Sequence, residues 1–189
     1  MNRRTAFLRS LALICATRPC FDAAAQTQTD ELQQALRRGG CALVLRHAQT
    51  ESGIGDPPGF RLDACSTQRN LSAEGKGQAQ KIGVWFKARG LEPQRVYSSA
   101  WCRCKDTADL AFGRHILLPE LNSTFEARSS QEAQTAGLKI RLANLTPGNF
   151  EVWITHQVNI SALTGRGPSM ASGFIVGRRG EVVAPFSVT

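Results

Sequence analysis

Residues 41–45, Cys41-Ala42-Leu43-Val44-Leu45, form a run without a polar member, entered from Gly39-Gly40 and left at Arg46-His47. Such a run, bounded by breakers, predicts a strand covered on both faces, and that requires helices on either side of a sheet. The rest of the chain supplies them. Leu32, Ala35 and Leu36 share one face of a helix predicted from Asp30 to Arg38. Ser72 is a good N-cap, Glu74 falls in the first turn, and Ala79, Ile82 and Phe86 recur at helical spacing until Gly90. Further helices are predicted from Ala100 to Phe112, ended by Gly113, and over 125–142. Between and after them lie short strand patterns at Arg95–Ser98, Ile116–Leu118, Phe150–Thr155, Gly173–Val176 and Glu181–Phe186. Residues 49–70, with Gly53, Gly55 and Pro57-Pro58-Gly59, carry too many breakers for regular structure and read as a loop. Strands alternating with helices predict an α/β domain, three layers (αβα) around a mostly parallel sheet.

The first residues have a different character. Arg3-Arg4 precede an apolar stretch of about a dozen residues interrupted by Arg9, and Ala23-Ala24-Ala25 offers the small residues of an export cleavage site. The reading is a signal peptide over 1–25, cleaved before Gln26, and a single domain over 26–189; the Arg pair is one residue out of register with a twin-arginine signal. The apolar stretch is too short to span a bilayer, so no permanent anchor is expected. Removing residues 1–25 takes four Arg and one Asp from a chain of net charge +8 and leaves +5. That balance suits an anionic substrate or surface. Because the basic residues are scattered, nucleic acid is not an expected partner. Cys41, Cys65, Cys102 and Cys104 remain, an even number that suggests disulfide bonding in an oxidising compartment without choosing the pairing. A bridge is expected to include Cys102 or Cys104. Cys102-Arg103-Cys104 lacks the gap usual in zinc-ligand pairs, and no metal is expected.

Ligand-binding groups of open α/β sheets gather at the carboxyl ends of the strands. Arg46 and His47 directly follow the first strand, Arg103 lies in the first turn of the helix after the second, and His156 directly follows Phe150–Thr155. A neutral imidazole is a competent nucleophile near neutral pH, and guanidinium forks grip phosphate oxygens and offset their charge. Singly, each residue reads as an ordinary surface or strand-end residue. Together they point to phosphoryl chemistry.

These same residues carry a resemblance. Leu45-Arg46-His47-Ala48-Gln49-Thr50 resembles the Leu-x-Arg-His-Gly-Glu-Thr signature of the histidine phosphatase superfamily in its phosphoglycerate mutase-like branch. Asn70-Leu71-Ser72-Ala73-Glu74-Gly75 with Gln78-Ala79, Ser99-Ala100-Trp101-Cys102-Arg103 with Thr107-Ala108, and Ile154-Thr155-His156 are similar to its other motifs, in the same order. The resemblance implies a phosphoglycerate mutase-like fold with a minimal lid insertion, His47 as the residue phosphorylated, and Arg46, Arg103 and His156 as phosphate ligands. It implies a phosphohistidine intermediate hydrolysed by water, with no metal and no cofactor. Ala48, Gln49 and Gln157 depart from the family's Gly, Glu and Gly and alter the polarity of the pocket.

A departing alkoxide needs a proton, and a carboxyl with a raised pKa is the usual donor. Leu118-Pro119-Glu120 resembles the family's context for this acid, which nominates Glu120, with Glu126 and Asp106 as rivals. His115 reads as a strand-edge residue; Trp85, Phe86 and Trp153 read as core, and Trp101 as lining the pocket. Only some thirty residues separate Glu120 from Phe150, where larger relatives insert a lid, so the site is expected to be open.

The leading functional expectation is a periplasmic phosphomonoesterase of the histidine acid type, acting on a phosphate carried by something bulky. Compact exported members with this Cys-Arg-Cys segment resemble the phosphatase of lipopolysaccharide-core heptose phosphate. The alternatives are a phosphohistidine protein phosphatase or mutase, if the leader is retained, and a non-catalytic phosphate- or envelope-binding module, if no acid reaches His47.

Overall fold

A computed structural model describes residues 30–126 and 128–188, so the predicted leader lies outside the described residues. Helix α1 covers 30–38, and the chain then enters strand β1 (Cys41–Arg46). Helix α2 (Ala73–Ala88), strand β2 (Arg95–Ser98), helix α3 (Cys102–Phe112) and the short strand β3 (Ile116–Leu117) follow. Helix α4 (Gln131–Ala143), strand β4 (Phe150–Thr155), helix α5 (Gln157–Thr164) and strands β5 (Ser172–Gly177) and β6 (Val182–Ser187) complete the chain.

The six strands form one sheet in the order β3-β2-β4-β1-β5-β6. β3, β2, β4 and β1 run parallel, whereas β5 and β6 are antiparallel additions. β1 alternates across the two faces. Leu43 and Leu45 pack with Leu36, Ile82, Phe86 and Ala108, while Ala42 and Val44 pack with Leu138, Leu142, Trp153 and Ile160. Helices α1 to α3 therefore cover one face, α4 and α5 the other, and the predicted three-layer αβα architecture is the one observed. Burying both faces of a central strand explains why residues 41–45 contain no polar side chain.

Ser72 caps α2, its Oγ accepting from Gly75 N at 3.1 Å. Gly75 has a second reason to be glycine: a Cβ there would meet Gln49 O at 1.8 Å. The chain leaving His47 thus lies directly on the first turn of α2, and Ser72 N donates to Gln49 O to hold it there.

Two local expectations need correction. α4 begins at Gln131 rather than near residue 125, after a single 3-10 turn at Arg128–Ser130, because Leu138 and Leu142, its buried apolar anchors, lie in its second half. α5 follows His156 where no helix was predicted; it is two turns long, too short to show a clear period, and Gly165 ends it in the left-handed conformation. The segment between Glu120 and Phe150 packs α4 on the sheet, with Leu138 and Leu142 in the core. Among the described residues, no helix is long and apolar enough to cross a membrane.

Candidate active site

The order of the parallel strands brings the two histidines together. β1 and β4 are neighbours with Arg46 opposite Thr155, and His47 N donates to Thr155 O at 3.0 Å. His47 and His156, each one residue beyond its strand, stand with ring centroids 5.5 Å apart. β2 lies on the far side of β4, so the turn after Ser98 delivers α3 to the same edge, and Arg103 Nη2 lies 3.4 Å from His156 Nδ1. His47 is 3% exposed, Arg103 4% and His156 4%.

Hydrogen bonding assigns the role of each ring nitrogen. His47 Nδ1 lies 2.9 Å from Ala48 O, which can only accept, so Nδ1 carries the proton and Nε2 keeps its lone pair. Burial, joined by the charges of Arg103, Arg46 and Arg69 and opposed by the Ala48 contact, lowers the His47 pKa to about 3. The ring is therefore neutral and nucleophilic at all ordinary pH. Burial and then His47 and the same arginines also push His156 well below its usual value. Its Nδ1 faces a guanidinium that can only donate, so its proton sits on Nε2, 2.9 Å from Ser99 Oγ. Ala48 N donates to Thr107 Oγ1, and the Thr107 hydroxyl donates to Arg103 O, tying the nucleophile's loop to the Arg103 turn.

Three guanidiniums converge here rather than the two expected. Arg69, at the end of the loop after β1, donates from Nε to Gly55 O at 2.8 Å and from Nη1 to Thr50 Oγ1. Burial and mutual repulsion lower the pKa of both Arg46 and Arg69. Arg46 Nη1 donates to Pro168 O at 3.1 Å, while among the described residues the buried Nε atoms of Arg46 and Arg103 have no acceptor. The single carboxylate in the cluster is Asp56, whose Oδ1 accepts from Arg103 Nη1 at 2.7 Å and whose Oδ2 accepts from Trp101 Nε1 at 2.9 Å. With both histidines neutral, three arginines and one aspartate leave two positive charges, the match for a phosphate monoester dianion.

A disulfide joins Cys65 to Cys102 and pins the loop to the residue before Arg103. Gln68 Oε1 reinforces the junction by accepting from Cys102 N at 2.9 Å. Cys41 and Cys104 are free, and burial raises them to about 11 and about 12, so both stay protonated and inert. The expectation follows that the unreduced, denatured protein alkylates at Cys41 and Cys104 but not at Cys65 or Cys102. With the bonded cysteines 37 positions apart, reduction should lower stability by about 3–4 kcal/mol, read as a drop in melting temperature. Ready alkylation of all four before reduction would contradict the bridge.

Sequence reasoning nominated Arg46, His47, Arg103 and His156, and the structure brings all four together. Glu120 is elsewhere. Its side chain lies on Gly137 of α4, where an added Cβ would come within 3.1 Å of Glu120 Cγ, in a cleft shared with Arg95, Arg141 and Glu151. Arg95 opens β2 and Glu151 is the second residue of β4, so the cleft that holds Glu120 lies toward the amino ends of these strands, whereas the histidines follow the carboxyl ends. The 3-10 turn Pro119–Leu121 redirects it: Leu121 is buried, and Thr155 Oγ1 donates to Leu121 O. Glu126 is exposed in a loop, and Asp106 sits on α3 with its pKa raised by burial and by Asp109. His115 pairs with Asp109 at 2.7 Å, as a strand-edge residue can. Trp101 lines the site edge-on to His156, with centroids 5.2 Å apart. The expected openness also fails, for a specific reason: the cover comes from the loop after β1, not from the segment before β4. Asp56 and Arg69 belong to that loop, whose irregular sequence gave no sign of them beyond its position after His47.

A model of the histidine phosphatase superfamily (branch 1) matches residues 42–168, from β1 through the loop after α5. The chain belongs to that superfamily. As a histidine phosphatase-superfamily protein it shares its fold with phosphoglycerate mutase from Thermus thermophilus, at 18% identity and TM-score 0.55, over 79% of this chain and 99% of that one. A protein named as the putative phosphohistidine phosphatase SixA of Agrobacterium tumefaciens is similar at 19% identity and TM-score 0.50, over 78% and 98%. One named as a putative alpha-ribazole-5'-P phosphatase from Escherichia coli is similar at 16% and 0.52, over 79% and 95%. At these identities the likeness shows the fold alone. Comparison of the sequence with curated proteins gives no match. Among the described residues, no group of three or more His, Cys, Asp or Glu side chains could hold a metal ion.

Proposed function

We propose that the protein is an exported phosphomonoesterase that works through a phosphohistidine on His47, with a phosphorylated sugar of the lipopolysaccharide core as substrate. One observation carries the chemistry: the unprotonated Nε2 of His47 stands among Arg46, Arg69, Arg103 and His156, a pocket whose net positive charge suits a phosphate dianion. Nε2 attacks phosphorus, the bond to the ester oxygen breaks, and the arginines hold the transferring oxygens. Water then attacks the phosphohistidine and frees inorganic phosphate.

Export is supported by the signal-like N-terminus and by the Cys65–Cys102 bridge, which an oxidising compartment preserves. A bulky anionic substrate is supported by the residual charge of +5 and by the outer loop, where Arg61, paired with Asp63, has a side chain 68% exposed. Arg69, at the end of the same loop, stands instead beside Arg46 and Arg103.

Attraction to an anionic surface is screened by salt, with a Debye length falling from about 10 Å at 0.1 M to about 3 Å at 1 M. The rate on lipopolysaccharide should fall more steeply with ionic strength than the rate on a small phosphate ester. Arg61→Ala should lower the first about two- to threefold and spare the second, whereas Arg69→Ala should lower both. Equal salt dependence, or a clear preference for free phosphosugars, would defeat the envelope substrate.

The non-catalytic alternative has one observation in its favour, the placement of Glu120 away from His47. It loses that support if another group can protonate the leaving oxygen.

A further inference from the structure

We propose that Asp56 is the proton donor to the leaving oxygen, freed from Arg103 when the substrate's phosphate takes its place. This rests on the phosphomonoesterase reading above. Asp56 has a side chain only 5% exposed, and it occupies the phosphate pocket as an internal anion. Its Oδ1 is 2.7 Å from Arg103 Nη1, its Oδ2 is 2.9 Å from Trp101 Nε1, and Arg69 N donates to Oδ1 at 3.0 Å. The first of these donors belongs to a phosphate-binding side chain, so an arriving phosphate and Asp56 compete for the same guanidinium.

Location gives Asp56 its role. His47 extends from β1 at the buried floor, and in-line attack sends the leaving oxygen away from that floor. Core residues close the pocket below, so the leaving alcohol must point toward the covering loop. That loop carries Asp56, and the Cys65–Cys102 bridge and Gln68 tether it to the Arg103 turn. An acid on this loop meets the departing group; one beside α4, where Glu120 lies, does not.

Protonation follows from the exchange. In the free site burial would raise the Asp56 pKa, but hydrogen bonds from Arg103, Arg69 and Trp101 outweigh burial and hold it below the usual carboxylate range. When phosphate oxygens take Arg103, Asp56 loses its strongest partner and gains a dianion as neighbour. Both changes favour the neutral carboxyl, which takes up a proton from solvent. As the bond from phosphorus to the ester oxygen breaks and the bond to His47 Nε2 forms, the Asp56 proton passes to that oxygen and the alcohol departs. The resulting carboxylate then takes a proton from the water that attacks phosphorus, the bond to Nε2 breaks, and as phosphate leaves Asp56 pairs with Arg103 again and returns the proton first taken from solvent.

The test compares two leaving groups in Asp56→Asn. An alkyl phosphate such as glycerol 2-phosphate needs the proton, whereas 2,4-dinitrophenyl phosphate expels a stable anion without one. The alkyl rate should fall about 10²- to 10³-fold and the dinitrophenyl rate less than about fivefold, as expected for loss of a general acid. Instability of the variant lowers both rates alike, so the ratio of the two losses, independent of the amount of folded protein, is the quantity read. Equal losses on both esters would overturn the donor role and leave Asp56 as a positioning partner of Arg103. An unsubstituted protein that hydrolyses neither ester would instead sink the phosphatase reading, and this inference with it.

Discussion

Alanine in place of His47 should lower turnover of an aryl phosphate on the order of 10⁴-fold or more, with the fold retained. The loss is large because no other group in the pocket can take the phosphoryl group. His156 Nδ1 faces Arg103, and the Cys104 thiol is held protonated near pKa 12. Retention of the fold follows from how little His47 contributes beyond its position. Among the described residues its side chain makes a single hydrogen bond, to Ala48 O, whereas the backbone link to Thr155 O and the β1–β4 pairing survive the substitution. A circular dichroism spectrum matching the parent, alongside turnover reduced on the order of 10⁴-fold, is the expected pair of results. Activity within about tenfold of the parent would remove His47 from the nucleophile's place.

Arg103→Ala should show the second-largest effect, and it should be double. Loss of one bidentate donor to the transferring phosphoryl group should cost on the order of 10³-fold in kcat/KM. Arg103→Lys should recover little of this, because an ammonium restores charge but not the fork. Stability should fall as well. Arg103 is the ion-pair partner of Asp56, both side chains are 5% exposed, and removing one leaves a buried carboxylate uncompensated, a cost of about 3–5 kcal/mol. The double variant Arg103→Ala/Asp56→Asn separates the two consequences. Melting temperature should recover toward the parent while activity does not, since only the first effect depends on phosphate binding. Loss of activity without loss of stability would mean that the ion pair contributes nothing to the fold.

Much of this architecture was legible in the chain for identifiable physical reasons. An apolar run at 41–45 entered from two glycines reads as a doubly covered strand, and Phe150–Thr155 reads as a further strand without its place in the sheet. Strand ends then located Arg46, His47 and His156 without knowledge of strand order, because all parallel strands of one sheet end on one edge. Arg103 was found through its helix. What escaped was set by contacts between residues far apart in sequence. Asp56 is one acid in a loop of glycines and prolines, and only its partners Arg103, 47 residues on, and Trp101, 45 residues on, give it meaning. Glu120 shows the converse. Its local sequence was suggestive, but a 3-10 turn sends its side chain toward Gly137, and no local pattern reports which way such a turn faces. The cover is hidden likewise: nothing local indicates that Gly55 and Asp56, in the loop after β1, reach Arg69, Trp101 and Arg103.

The central claim, a phosphoryl group carried on His47 Nε2, is tested most directly by trapping it. A ³²P-labelled phosphate ester mixed with the native protein in EDTA and quenched in denaturant should leave label on the chain that is stable to base and labile to acid. Peptide mapping should place it at His47, and the His47→Ala variant should carry none. Turnover that proceeds with no trapped label at any quench time, or label on another residue, would contradict the account.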